Sequence, residues 1–205
     1  MTYKNLTRLA QKRKIVLGSA SPRRVELLGE TGIDFRRQIS DFEEHNNNNG
    51  KPYEHAQKLA EEKALAVAKT IATDEVVIGA DTVVVLNNTS IGKPADQNDA
   101  ARILESLSGK KHTVCTALAI AERKRIIVSG YELTDVYFNQ VSEKQIAEYI
   151  KSGEPMDKAG AYGIQGMGGF LVDRIEGELD NVIGLPRRLL EKLAGEFCNK
   201  FGVKI

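Results

Sequence analysis

Asp81 stands in the middle of the run Val-Val-Ile-Gly-Ala-Asp-Thr-Val-Val-Val-Leu, a segment whose other residues belong in a core. An ionised carboxylate taken out of water is unfavourable by several kcal/mol unless a cation or hydrogen-bond donors meet it, so Asp81 requires a partner. It is either a salt-bridged core carboxylate or part of a turn at Gly79-Ala80-Asp81, or else a cleft carboxylate that binds metal or takes a proton. Lys63 poses the matching question. It falls on the inner stripe of a helical pattern, three residues after Ala60 and four before Val67, where an ammonium either snorkels to solvent or points at an anion. Lys93, between Gly92 and Pro94, sits in a rigid turn just after the Asp81 run, so two lysines and a carboxylate can converge. The string Ser19-Ala20-Ser21-Pro22-Arg23-Arg24 gathers hydroxyls, a helix start and two guanidinium groups. Helix N-terminal N–H groups and bidentate Arg donors make a phosphate cradle; the alternative is a capped surface helix with two solvated arginines.

Other signals are weaker. Neither a P-loop nor a dinucleotide GxGxxG fingerprint occurs, and Gly163-Ile-Gln-Gly-Met-Gly-Gly169 has its glycines at the wrong offsets, which reads as a surface of close backbone approach. Gln165 with Tyr162 and Phe170 would line a base-sized pocket, unless the aromatics are simply core. His112 has no Ser or Cys nucleophile in evident partnership and reads as a structural or surface histidine.

The elements that must position these residues follow from periodicity. Residues 14–18 form a short apolar strand ending at Gly18, and Ser21-Pro22 then caps and opens a helix that Gly32 closes. An extended stretch follows near 35–39. The polar run 43–51, with four consecutive asparagines, reads as a loop. Ala56, Leu59, Ala60, Ala64, Val67, Ala68 and Ile71 recur at helical spacing over 53–71. The β-branched run 76–86 predicts a strand buried on both faces, followed by a helix at about 96–107. Residues 113–120 and 126–138 predict longer antiparallel strands, 142–150 a helix with Ser142 and Gln145 in capping-box register, and about 186–197 a final helix. The pattern is α/β with a mixed β-sheet flanked by helices: one domain over 14–205, room for a cleft between two lobes, and an N-terminal extension over 1–13.

Composition narrows the class. With 205 residues, 41% hydrophobic and 28% charged, the chain has the make-up of a globular protein with a packed core. Its 29 Lys plus Arg against 28 Asp plus Glu leave a net charge of +1, so no global field draws it to nucleic acid or an anionic membrane, and anion affinity must be local. Cys115 and Cys198 form neither a CxxC nor a Cys/His cluster, which argues against a disulfide framework or structural zinc and for a reducing, cytoplasmic setting. No apolar run reaches the roughly 18 residues of a membrane span. The basic stretch Lys4, Arg8, Lys12, Arg13 and Lys14 is either an organelle-targeting remnant or, the better reading, a solvated extension.

Taken together, these strings resemble the Maf family of nucleoside triphosphate pyrophosphatases, from about Ile15 to Leu193. The matching segments are Ser19-Ala-Ser-Pro-Arg-Arg24, Glu62-Lys-Ala64, Gly79-Ala-Asp-Thr-Val-Val84, Gly92-Lys-Pro94, Ser108-Gly-Lys-Lys-His112, the stretch from Gly153 to Gly166, and Asn181-Val-Ile-Gly-Leu-Pro186. The resemblance implies a Maf/inosine triphosphatase-like fold and hydrolysis of a nucleoside triphosphate between its α and β phosphates. It implies that Asp81 accepts a proton from the attacking water and that Glu44, or its neighbour Glu43, helps Asp81 hold a divalent metal, Mg²⁺ or Mn²⁺. Lys63 and Lys93 then contact the phosphate chain, with Ser19, Ser21, Arg23 and Arg24 as its cradle. Arg23, Thr82 and Gln165 match the set associated with dTTP and UTP, whereas the branch acting on 7-methylguanosine triphosphate carries other residues there. The resemblance also admits a homodimer and, as a different class of function, a nucleotide-binding regulator of septum formation.

Overall fold

The chain alternates β-branched runs with helical stretches, and in the computed structural model, which describes residues 2–39, 42 and 51–201, these resolve into a mixed sheet flanked by helices. The elements run α1 (Lys4–Lys12), β1 (Lys14–Gly18), α2 (Pro22–Gly29), β2 (Phe35–Arg37), α3 (Pro52–Ala68), β3 (Glu75–Leu86), β4 (Thr89–Ile91), α4 (Gln97–Leu107), β5 (Lys111–Glu122), β6 (Arg125–Phe138), α5 (Glu143–Lys151), β7 (Val172–Glu176), α6 (Leu179–Ile183) and α7 (Arg187–Lys200), with 3₁₀ turns between α5 and β7. The sheet order is β2-β1-β3-β5-β6-β7, with β4 folded back on the end of β3. β1 is parallel to β2 and β3, and every later pairing is antiparallel.

Strand alternation splits the packing. Val76, Ile78 and Ala80 of β3 join a core with α1, α2 and α7, while Val77 faces α3 and its small residues Ala56, Ala60 and Ala64. Beyond Asp81 the same strand enters a second core: Val84 packs with Leu104 and Leu107 of α4, Ile146 and Tyr149 of α5, and Val114, Val136 and Phe138. The long strands β3, β5 and β6 therefore carry both lobes, and Asp81 lies where β3 passes from one to the other.

Two expectations change. Residues 4–12 are not a solvated extension: α1 buries Leu6 and Leu9 in the first core, and the Glu191 carboxylate of α7 accepts from the N–H groups of Asn5 and Leu6, as an N-terminal cap would. Ser21 stands at the N-cap position of α2 but makes no side-chain cap bond; its backbone N–H donates instead to Ser19 Oγ at 3.2 Å. The Asp96 cap on α4 and the Ser142–Gln145 capping box on α5 are formed. Glu43, Glu44 and the asparagine run 46–49 lie outside the described residues.

Candidate active site

β1 and β3 pair only as far as Gly18↔Gly79, and β4 joins β3 only from Val84↔Ile91. Among the described residues, positions 80–83 of β3 thus have no ladder neighbour on that side. A cavity of about 1100 Å³ opens at this gap, lined by the turn after β1, the inner side of α3, the middle of β3, the β4 turn and residues 154–166. Such a crevice, at the end of one strand and beside the continuation of its neighbour, is where α/β folds place ligands. Ser19, Ser21, Arg23, Arg24, Lys63, Asp81, Thr82, Lys93 and Gln165 all line it.

The Asp81–Lys63 pair follows from packing. Residues 77, 79 and 81 share the face turned to α3, and at Gly79 that helix comes so close that an added Cβ would lie 2.4 Å from the Ala60 carbonyl and 2.7 Å from the Ala64 methyl. This approach sets Lys63, one turn along from Ala60, against the carboxylate, and Lys63 Nζ donates to Asp81 Oδ1 at 2.5 Å. Asp81 is 8% exposed. Its other carboxylate oxygen makes no hydrogen bond to a described residue. Asp81 is thus ion-paired, in mid-strand rather than in a turn, and it also lines the cleft.

The two arginines diverge. Arg24 donates through Nε to Gly184 O at 2.8 Å, through one terminal nitrogen to Ala80 O at 2.9 Å and Ser19 Oγ at 3.3 Å, and through the other to Thr82 Oγ1 at 2.9 Å. It fills the open edge of β3 and ties three segments together. Thr82 Oγ1 is shared further with Thr116 at 2.9 Å, whose hydroxyl donates to Asn181 O at 2.8 Å. Arg23 lines the cavity with a buried Nε that has no partner among the described residues. Lys93 is exposed with no ion pair among them. The turn carrying Ser19 is pinned by Arg37, which donates to the carbonyls of Ser19 (3.0 Å) and Ala20 (2.8 Å); the three-residue strand β2 carries no sign of that role.

Glu154, Asp157 and Lys158 also line the cavity and were not singled out from the sequence, although the matching string from Gly153 to Gly166 contains them. Burial is the largest single influence on the Asp157 carboxyl and pushes it up, but the hydrogen bond and charge of Lys158, the charge of Arg23 and a backbone N–H together outweigh it and leave the group below its ordinary value. Tyr162 lines the cavity and its hydroxyl pairs with His112 Nε2 at 2.9 Å, so His112 is a buried structural residue rather than a surface one. Phe170 is not part of the wall; its ring stacks edge-on against Tyr149. Among the described residues no group of three or more His, Cys, Asp or Glu side chains forms a metal cage.

The Maf-like protein family matches residues 14–197, and the chain belongs to it. Its relatives include the dTTP/UTP pyrophosphatase of Aquifex aeolicus, 46% identical over 183 residues, covering 89% of this chain and 95% of that protein. The dTTP/UTP pyrophosphatase of Acetivibrio thermocellus is 47% identical over 191 residues, 90% and 95% of the two chains. That of Escherichia coli O157:H7 is 44% identical over 172 residues, 84% and 87%. The crystal structure of a nucleoside-triphosphatase / dITP/XTP pyrophosphatase from Mycobacterium abscessus aligns with 14% identity and a TM-score of 0.41 over 62% of this chain and 74% of that one, too distant a likeness to carry an inference.

Proposed function

We propose that this chain hydrolyses dTTP and UTP to the nucleoside monophosphate and pyrophosphate, removing these nucleotides from the precursor pool. The observation that carries the reading is the Asp81–Lys63 pair at the mouth of the strand gap, in a cavity whose rim also presents Arg23 and Lys93. Asp81 takes a proton from a water molecule as its oxygen attacks the α phosphorus, and the bond from that phosphorus to the bridging oxygen breaks in line, releasing pyrophosphate. Lys63 holds the carboxylate in place, while Lys93, Arg23 and the α2 N-terminus meet charge moving onto the leaving oxygens. Arg24 serves by fixing Ser19, Ala80 and Thr82 rather than by offering its own fork to phosphate.

The residues fit a divalent cation. Asp81 has a carboxylate oxygen not used by Lys63, Glu44 is the second acid of this reading, and Mg²⁺ or Mn²⁺ needs only one or two carboxylates when phosphate oxygens complete its shell. When bound, such an ion would supply charge neutralisation at the phosphates. Gln165, with an amide donor and acceptor, would read the imide edge of uracil or thymine from the cavity wall. A cytoplasmic homodimer belongs to the same proposal; among the described residues no helix is long and apolar enough to cross a membrane.

The test is a product assay with Mg²⁺ across dTTP, UTP, CTP, ATP, GTP and 7-methylguanosine triphosphate, with Asp81→Asn as control. Pyrophosphate from dTTP and UTP, reduced about 10²-fold or more in the folded variant, is the expected result. Orthophosphate would replace the reaction by a phosphatase one. Preference for the methylated purine would overturn the Gln165 assignment, and nucleotide binding without turnover would favour the regulator.

A further inference from the structure

Gln165 is exposed, sits in an irregular stretch, and its amide makes no hydrogen bond to a described residue, so only its backbone can orient it. That backbone is held from both sides by one pair of side chains. Glu154, opening the 3₁₀ turn Glu154–Asp157, accepts from the N–H groups of Met167 at 2.9 Å and Gly168 at 3.2 Å and from the Tyr149 hydroxyl at 2.9 Å. The same Tyr149 oxygen accepts from Gly163 N–H at 3.0 Å. Lys158 reaches back to the Glu154 carbonyl at 2.6 Å and fixes the start of the turn.

The glycines that fit no nucleotide fingerprint have their explanation here. A Cβ at Gly166 would lie 2.4 Å from Glu154 Oε2, at Gly168 2.5 Å from the Tyr149 hydroxyl, and at Gly163 2.8 Å from Lys158 Cε. Side chains at these positions would keep the backbone from closing on the carboxylate. Bonds to an ionised acceptor are the strong class, and two of the three to Glu154 come from the residues that follow Gln165 by two and three positions.

We propose that Glu154 is the positioning residue for base selection: acting through the backbone of 163–168, it holds Gln165 against the cavity so that the amide meets the pyrimidine at a set distance. This rests on Gln165 reading the base, and the experiment separates the two. kcat and KM are measured for UTP and CTP in Glu154→Gln, Gln165→Ala and the double variant. Glu154→Gln raises KM for UTP about 10-fold, the scale of one lost charged hydrogen bond, keeps kcat within about 2-fold, and narrows the UTP-to-CTP ratio of kcat/KM. The double variant is no worse than Gln165→Ala, because Glu154 acts through Gln165. Loss of base preference in Gln165→Ala with preference kept in Glu154→Gln overturns this proposal alone, as do additive losses in the double variant or a fall in kcat with KM unchanged. Preference kept in Gln165→Ala removes the base-reading role of Gln165, and this proposal with it. Should Glu154→Gln fail to fold, Tyr149→Phe, which removes the phenol bridging Glu154 and Gly163, must shift KM and base ratio in the same direction, and unchanged values overturn the proposal.

Discussion

Arg23 and Arg24 are adjacent, alike in charge, and opposite in use. Neighbours on a helix point about 100° apart, so that, although both line the cavity, Arg24 is hydrogen-bonded to the open edge of β3 while Arg23 Nε has no partner among the described residues. Arg24 spends its fork on Gly184 O, Ala80 O, Ser19 Oγ and Thr82 Oγ1, a planar pattern that three ammonium protons cannot reproduce. Arg24→Lys should therefore lower the unfolding free energy by about 2 kcal/mol, within the range for hydrogen bonds to charged groups, as read from a denaturant midpoint at unchanged slope. Arg23→Lys should leave that midpoint in place and raise KM for UTP. Equal losses of stability in the two variants would contradict the division of labour. Type and spacing mark both arginines as a phosphate cradle; that Arg24 also meets the carbonyls of Gly184 and Ala80 is decided by a sheet edge that only tertiary pairing creates.

At the scale of elements, the decisive contact is α3 on β3 at Gly79. Ala60, Ala64 and Gly79 are small so that the helix can settle onto the strand, and Lys63 and Asp81 meet because it does. Gly79→Ala forces a methyl against backbone and Ala64, neither of which is the yielding tip of a long side chain. The expected outcome is a loss of about 1–3 kcal/mol, the range for overpacked cores, with turnover falling further than stability because the ion pair is displaced. Measuring kcat at a temperature well below the transition separates the two, and a variant with normal kcat would show that α3 can shift without moving Lys63. The period-3.6 and β-branched runs made α3, α4, α5, α7 and the long strands readable, since their faces are continuous. β4, β7 and α6 span only 3 to 5 residues each and carry no periodicity, and the 3₁₀ turns hang on Glu154 and Tyr149 rather than on local propensity. The first helix is hard to read for another reason: Leu6 and Leu9 are two apolar residues among many charges, and their burial is set by α7, far away in the chain.

For the molecule as a whole, two cores share three strands, and the cleft between them survives only while both stay packed. The second core contains an ionisable group at its centre. His112 is 2% exposed, its ring edge-on to Phe138 and Tyr162, with Nε2 on the Tyr162 hydroxyl and Nδ1 without a partner among the described residues. Protonation would bury a second donor with nothing to accept it. Burial accordingly pulls its pKa from 6.5 down to about 4, against a weaker opposing pull from Asp135. Between those values the unfolded chain binds a proton that the folded chain refuses, so stability from this group is complete above pH 6.5 and falls as pH drops toward 4. The loss reaches about 2 kcal/mol by pH 5, a window separate from that of Glu154. Burial raises the Glu154 carboxyl, but the Met167, Tyr149 and Gly168 donors lower it more, so its contribution is lost only further into acid. Thermal or denaturant unfolding from pH 7.5 to 4.5 should therefore show a decline already under way at pH 6. His112→Gln, which keeps a partner for Tyr162 but takes up no proton, should flatten that decline above pH 5 while leaving the acid limb below it. An identical pH profile in the two proteins would place the weakness elsewhere. Because Tyr162 is both the partner of His112 and part of the cavity wall, loosening of this core should raise KM for the nucleotide before the fold is lost, and KM measured down the same pH series would follow the stability curve in the native protein and not in His112→Gln.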